Sequence, residues 1–428
     1  MIMRHFAFLL SLFAITISSQ FAANFVNNAE AADWPLYRGP NQDGISQEAF
    51  SAEWGGDGPK VVWRGSVHNG FSSFAVSGGK VFTETLRDIG GTSREICVAL
   101  DANTGKELWS ANLAAGEGYD GGGGDGDGTR STPTINDGKV YCFTSDLIVH
   151  CLDAATGKQI WKRDLVKQNH GKNIHWQNAA SVPIEGDLAL VAGGGPGESM
   201  LGLNKETGAV VWKAGDEHIT HSTPVLATID GQRQVIYFMQ SGLVSVAPTT
   251  GKLLWKFPFP FHVSTAISPV VSGNIVYCSA GYDSGSAACR IEKTAAGFEA
   301  VKLWQLKGNQ PVSNHWSTPV CKDGFLYGMF GFKEFNKKGR MKCVELATGK
   351  VRWEQYGFGQ GNVILVGGRL LALNDQGELI VVEAKPDAYH EVARTKAVQG
   401  KCWSTPAFAD GKVYIRSVSN SVCLDLSK

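Results

Sequence analysis

Residues able to bind or react stand just ahead of a recurring Ser-x-Pro. Arg130 precedes Ser131; His175, Trp176, Gln177 and Asn178 precede Ser181; His221 precedes Ser222; His262 precedes Thr265; His315 and Trp316 precede Ser317; and Trp403 precedes Ser404. Gln360 and Asn362 open a unit that lacks the Ser-x-Pro. Gathered at one mouth, these side chains would form an aromatic, His-rich, mildly cationic funnel. Such a funnel would stack a flat ligand or a sugar ring and hydrogen-bond its carboxylates or hydroxyls. The same positions would serve equally to pack the top of a scaffold against water. The imidazoles do not read as a metal centre, because no H-x-x-x-H or comparable close spacing occurs. Asp120, Asp125 and Asp127, in the Gly-rich stretch from Gly116 to Gly128, carry oxygen ligands of the kind calcium takes. That stretch also reads as an exposed connection over the same mouth. Gly193-Gly-Gly-Pro-Gly197 lacks the Lys-Ser/Thr of a phosphate loop and reads as a hairpin turn. Cys402, beside the proposed funnel, is the thiol whose position suggests reactivity.

The elements that must position these residues repeat. Asp101-Ala-Asn-Thr-Gly105-Lys-Glu-Leu-Trp109 recurs with Gly157 and Trp161, Gly208 and Trp212, Gly251 and Trp255, and Gly349 and Trp353, and weaker copies end in Trp63 and Trp304. The tryptophans fall 43 to 52 residues apart, and Glu391-Val-Ala-Arg394 stands where another would be due. Units of this length, rich in alternating strands between Gly turns, predict blades of a propeller. The Gly supplies a positive-φ turn, the Asp accepts from the turn's own backbone, and the Trp docks on the neighbouring blade. The last unit, from Cys402, ends at Leu426 after three strands, and Lys60-Val-Val-Trp63 is a fourth strand with no three before it. Pairing the two ends predicts an all-β, eight-bladed β-propeller of four-stranded antiparallel blades, closed by the N-terminal strand joining the C-terminal blade. The docking tryptophans are then Trp63, Trp109, Trp161, Trp212, Trp255, Trp304 and Trp353.

The 428 residues carry 40 basic and 40 acidic side chains, a balance that excludes a phosphate-tracking nucleic-acid surface and a polybasic membrane anchor. Fifty-two Gly suit a fold of many tight turns. Residues 1–31 read as a cleaved signal peptide: Arg4 and His5, an apolar run from Phe6 to Ile17 too short to span a bilayer, and Ala29-Glu30-Ala31. Residues 32–428 are then a single propeller domain, exported to a periplasm or beyond, with no transmembrane anchor and expected as a monomer. Nine Cys mostly follow the repeat. Cys142 with Cys151, and Cys278 with Cys289, face each other across a hairpin in one reading; in the other they are buried thiols packing as small apolar groups. The insertion from Lys333 to Arg340 reads as a basic hairpin tip.

The repeats resemble the pyrroloquinoline-quinone (PQQ) propeller family, whose docking motif is A-x-D-x-x-T-G-x-x-x-W. The opening Asp33-Trp-Pro-Leu-Tyr-Arg-Gly-Pro-Asn-Gln-Asp-Gly44 and the ending Cys402-Trp-Ser-Thr-Pro with Val413-Tyr-Ile-Arg416 are similar to exported PQQ-like proteins of planctomycete type. The resemblance implies two functions. One is a quinoprotein alcohol or sugar dehydrogenase holding PQQ and calcium; the other is the non-catalytic propeller lipoprotein of outer-membrane assembly. The chain departs from the first in having no adjacent Cys pair and no C-x-x-C-H haem site, and from the second in having no Cys at the expected cleavage point. A binding or scaffold propeller is the leading expectation. Its partner would be a small molecule, a glycan or an envelope protein, and a PQQ-dependent oxidoreductase is the alternative.

Overall fold

In the computed structural model, which describes residues 33–115, 128–309, 311–331 and 339–428, every repeat forms one antiparallel sheet. The expected signal peptide, Asp120, Asp125 and Asp127, and most of the Lys333 to Arg340 insertion lie outside the described residues. There are eight blades, and their innermost strands are Ala75–Ser77, Thr134–Asn136, Ile184–Glu185, Val225–Ile229, Val270–Ser272, Val320–Lys322, Asn362–Val366 and Ala407–Ala409. The outermost strand of the eighth blade is Lys60–Ser66, which pairs antiparallel with Asn420–Asp425 and closes the ring as expected.

The Trp motif works between blades. Each indole N–H reaches a turn carbonyl of the next blade: Trp63 to Ala102 at 2.9 Å, Trp109 to Ala154 at 3.2 Å, Trp161 to Lys205 at 2.9 Å, Trp212 to Pro248 at 2.7 Å, Trp304 to Leu346 at 2.8 Å and Trp353 to Lys385 at 2.8 Å. The turn Gly has a second duty besides its positive φ. A Cβ on Gly157 would lie 2.6 Å from Trp109, and one on Gly251 would lie 2.4 Å from Trp212. Within the turn, Asp101 accepts from the Asn103 and Thr104 main chain, as the motif predicts.

Trp255 is a partial exception. It is buried against the fifth blade, but its N–H goes to Gln234 Oε1 of its own blade at 2.6 Å. The fifth blade's last two strands form the long hairpin Gly285–Thr294 and Gly297–Leu306, so no Thr-Gly turn carbonyl is presented to it. Gln234 takes that role.

Under each of the seven docking tryptophans lies a small residue. Across the ladder, Trp109 faces Ala99, Trp161 faces Cys151, Trp212 faces Gly202, Trp255 faces Ser245, Trp304 faces Ala288, Trp353 faces Cys343 and Trp63 faces Cys423. A larger side chain would displace the indole. This row explains three of the cysteines, which are buried and whose thiols burial pushes up to about 12, 11 and 12 in Cys151, Cys343 and Cys423. The Cys142–Cys151 pairing fails, because Cys142 is opposite His150 and Cys151 opposite Tyr141, which places the two sulfurs on opposite faces. Cys278 and Cys289 share a face as diagonal neighbours, and both are free thiols.

In all eight outermost strands one extra residue is inserted beside the Trp position. Val62, Leu108, Ile160, Val211, Leu254, Leu303, Arg352 and Val392 each fall at a register shift. Leu108, Ile160, Val211 and Val392 are exposed there.

The segment 33–46 belongs to no blade of its own. Trp34 pairs with Val76 of the first blade, and the Pro35 carbonyl accepts from Ile135 of the second at 2.7 Å. The Gln42 amide donates to the Pro224 carbonyl at 2.8 Å and accepts from Leu226 N–H at 3.0 Å in the fourth. Arg38 donates to the Thr318 and Pro319 carbonyls of the sixth at 2.7 and 2.8 Å, and Ile45–Ser46 runs parallel to Leu365 and Val366 of the seventh. A segment that touches blades one, two, four, six and seven must cross the ring axis. It therefore plugs the channel.

Candidate functional site

The plug divides the channel. On one side is a recess of about 640 Å³ bordered by Leu36, Arg38 and Gln42. On the other is a cup of about 380 Å³ whose lining includes Tyr37. Seven blades contribute to the cup, and Tyr37 from the plug is its floor.

Six of the nine expected funnel residues meet here: Arg130, Trp176, His221, His315, Trp316 and Trp403 all line the cup. The other three do not. His175 packs against Trp176 with ring centroids 4.5 Å apart and planes tilted by 45°, and its carbonyl accepts from His221 Nε2–H at 2.9 Å. Gln177 follows in the same turn, where its N–H donates to the Ile174 carbonyl. His262 is exposed and donates through Nδ1 to the Tyr282 carbonyl at 2.8 Å, which holds the Tyr282 loop rather than facing the cup.

Three lining residues escaped the sequence reading: Tyr37, Phe71 and Tyr282. Phe71 had a signal, since it precedes Ser72-Ser73 as Trp403 precedes Ser404-Thr405. Tyr282 sits between the second and third strands of its blade, outside the Ser-x-Pro register.

The aromatic rings form a continuous arc. Phe71 stacks on Trp403 at 5.2 Å, Trp403 meets Trp316 at 4.5 Å, and Trp316 meets His315 at 4.7 Å. His315 meets Tyr282 edge-on at 5.1 Å, and Tyr282 stacks on Trp176 at 5.8 Å. Arg130 lies between the ends of this arc and donates to the Trp176 carbonyl at 3.2 Å.

Ser-x-Pro is a joint between blades. Thr405 N–H donates to Ser73 Oγ, Ser73 N–H to Thr132 Oγ1, Thr132 N–H to Ser181 Oγ, and Ser181 N–H to Thr223 Oγ1, all at 2.9 to 3.1 Å. Each hydroxyl thus receives the main chain of the blade before it. This ties five successive inner strands into a girdle around the cup.

The two imidazoles that line the cup are not cationic at pH 7. Burial, with Arg130 nearby, pulls His221 down to about 4, and burial pulls His315 down to about 3. Both are neutral at pH 7. His221 has a defined tautomer: Nε2 carries the hydrogen given to His175, and Nδ1 accepts from Ser264 at 2.9 Å. His221 and His315 therefore add no positive charge to the funnel at pH 7. Cys402 is also inert, because it is fully buried and its thiol is pushed up to about 12.

Two carboxyls sit at the junction of the first and second blades. Glu95 is buried, which raises it from 4.5 to about 7 against the opposing effect of the Ser145 N–H it accepts from. Glu84 is fully buried, and among the described residues neither carboxyl oxygen has a hydrogen-bond partner. Burial holds it well above 4.5, with Cys97 and Glu95 adding to the effect. A carboxyl raised in the folded state favours folding fully below its unfolded pKa and loses that contribution as pH rises through the folded one. For Glu95 this is on the order of 3 kcal/mol, lost between pH 4.5 and about 7. Glu84→Gln, which mimics the protonated acid, is expected to raise Tm at pH 8 and to leave it nearly unchanged at pH 4. Equal effects at both pH values would refute a protonated Glu84.

Calcium takes six to eight oxygens, rich in carboxylate. Among the described residues no Asp or Glu lines the cup, and no group of three or more His, Cys, Asp or Glu is placed to hold a metal ion. The described residues of the cup do not fit a calcium-bound quinone.

Sequence comparison divides along the same two lines. The outer membrane protein assembly factor BamB of Shewanella oneidensis is 22% identical over 292 residues, covering 65% of this chain and 68% of that one. The quinoprotein alcohol dehydrogenase PedH of Pseudomonas putida is 28% identical over 185 residues, 41% of this chain but 28% of the dehydrogenase. Among solved structures, BamB from Moraxella catarrhalis superposes with a TM-score of 0.57 at 16% identity, over 82% of this chain and 94% of that one. Quinohemoprotein alcohol dehydrogenase from Comamonas testosteroni gives 0.64 at 12% identity, over 93% and 81%. Likeness at these identities speaks for the fold alone. The family model described as outer membrane protein assembly factor BamB matches residues 92–329, more than half of the chain, and the protein belongs to that family of PQQ-like propellers.

Proposed function

We propose that this protein is an exported binding propeller whose axial cup holds a small ring-bearing molecule, with the outer ring serving as a scaffold for an envelope protein. The observation that carries the reading is the blind cup. An arc of six aromatic and imidazole rings surrounds it, and a dedicated segment of chain closes its floor. A propeller acting only as a spacer has no need of a plug whose Tyr37 faces one side while Arg38 is fully buried on the other. Its size, about 380 Å³, is at the small end of ligand pockets, which run about 300–1,000 Å³. The scaffold half of the reading is supported by membership of the assembly-factor family. Among the described residues the lining has no carboxylate, which weighs against a calcium-dependent quinoprotein oxidoreductase.

Trp176, Trp316 and Trp403 make the cup its own reporter. Aromatic acids, nucleosides and mono- and disaccharides should be titrated against the full chain while indole emission is followed. At least one class is expected to shift it at micromolar concentration. Trp316→Ala should weaken that binding tenfold or more and move Tm by only a few degrees. If nothing in the set alters the emission, or if Trp316→Ala binds as the parent does, the cup is not a ligand site.

A further inference from the structure

Trp176 reaches the cup from a strained turn. Trp176 and Gln177 both have left-handed backbones, with φ of +65° and +59°. Residues with a Cβ avoid that region, and two in succession persist only where the surroundings impose them. The restraints come from several directions. His221 Nε2–H donates to the His175 carbonyl at 2.9 Å, and Arg130 donates to the Trp176 carbonyl at 3.2 Å. From the second blade, the Ser145 carbonyl accepts from Asn173 Nδ2 at 2.7 Å and from Asn178 N–H at 3.1 Å, so it grips the turn on both sides of Trp176.

Ser145 is in turn tied to the first blade. It sits at the tip between the strands Lys139–Phe143 and Ile148–Asp153, and its N–H donates to both oxygens of Glu95 at 3.2 Å. Glu95 is buried, so water does not compete for that contact. A hydrogen bond to an ionised carboxylate is roughly twice as strong as one to a neutral acceptor. The proton on Glu95 therefore sets how firmly Ser145, and through it the Trp176 turn, is fastened. Burial pushes Glu95 up to about 7, and Asp146 adds to the rise while the Ser145 N–H and Arg130 oppose it. The other ionisable groups of this junction are Glu84, a diagonal neighbour on the adjacent strand, with Cys97 and Cys142 against it. On the far side of the turn, His175 packs against Trp176 itself.

We infer, on the strength of the binding reading above, that Glu95 is a positioning residue of the cup: its ionisation fastens the Trp176 wall and its protonation loosens it. Affinity for a ring ligand then rises with pH through neutrality, opposite in direction to the folding contribution of the same carboxyl. The test reads the wall without any ligand. Acrylamide quenching of Trp176 is taken as the difference between the full chain and its Trp176→Phe version, from pH 5.5 to 8.5. The quenching constant is expected to fall about twofold as pH rises, with its midpoint near 7. Glu95→Gln should hold the high value at every pH. Asn173→Ala, which cuts the link beyond Ser145 and leaves the carboxyl in place, should do the same. Glu84→Gln and His175→Gln, each paired with its own Trp176→Phe version, should keep the response. A flat profile in the parent, a response that survives Glu95→Gln or Asn173→Ala, or one that disappears in Glu84→Gln or His175→Gln would overturn the latch while leaving a ligand cup in place. The expected profile, combined with silence from every ring compound, would keep the latch and remove the cup as a binding site.

Discussion

Arg416→Met is expected to lower the unfolding free energy by about 4–5 kcal/mol. Arg416 is 1% exposed, and no carboxylate faces it; its five N–H groups are satisfied by oxygens of three separate segments. It donates to the Ser417 and Val418 carbonyls in its own blade, to Thr83 Oγ1 and the Glu84 carbonyl in the first blade, and to the His68 and Gly70 carbonyls in the chain that joins them. These six contacts, at 2.8 to 3.2 Å, lie where the ring closes without a covalent turn. A methionine fills much of the volume but takes the donor away from six acceptors, four of them in buried contacts. Arg416→Lys keeps the charge but has three donors in place of a five-donor fork, so it should recover less than half of the loss. Urea unfolding followed by tryptophan emission measures both. A loss below about 1 kcal/mol for Arg416→Met would mean that the backbone ladder between Lys60–Ser66 and Asn420–Asp425 closes the ring by itself.

The second large effect separates two reasons for a glycine. Gly138 and Gly157 lie in the same blade with φ of +72° and +73°. A Cβ on Gly138 meets nothing within 4 Å, whereas one on Gly157 would sit 2.6 Å from the Trp109 ring. Gly138→Ala should therefore show the left-handed backbone term alone, about 1 kcal/mol. Gly157→Ala should add the cost of pushing the indole away, for a total of about 3–4 kcal/mol. Combining Gly157→Ala with Trp109→Ala should be markedly less than additive, since the clash disappears with the ring. If the two alanine variants cost the same, the contact between blades contributes nothing to the glycine requirement.

The architecture was legible because it depends on what periodicity exposes. Seven tryptophans in step, each four residues after a Gly or its weakened copy, state both the blade and its neighbour, and the unpaired ends at Trp63 and Leu426 state the closure. The small residue beneath each indole was visible only as recurring cysteine. Ala99, Gly202 and Ser245 fill the same place and share nothing but size. Trp255 shows the limit of the repeat, because its partner is set by a hairpin length in the next blade and not by the motif itself.

The cup was legible in part. Arg130, Trp176, His221, His315, Trp316 and Trp403 share one register with respect to Ser-x-Pro, and register survives in sequence. Tyr37 could not be found that way. The plug repeats nothing, and Arg38 holds it through main-chain carbonyls, which any sequence possesses. The neutrality of His221 and His315 was likewise hidden, because burial decides it and burial depends on the closed ring.

The extra residue in every rim strand has a consequence for the protein at high concentration. A ring of four-stranded sheets presents eight open borders, each with a row of amides and carbonyls on which another chain's strand could continue the ladder. In seven of the eight borders the inserted residue is the second or third of its strand, and it throws those groups out of step there, so a newcomer cannot hold one register along the whole border. The same one-residue irregularity that seats each indole thus ends sheet growth at the fourth strand, and a fold built almost wholly of β-structure is insulated from fibre-like assembly.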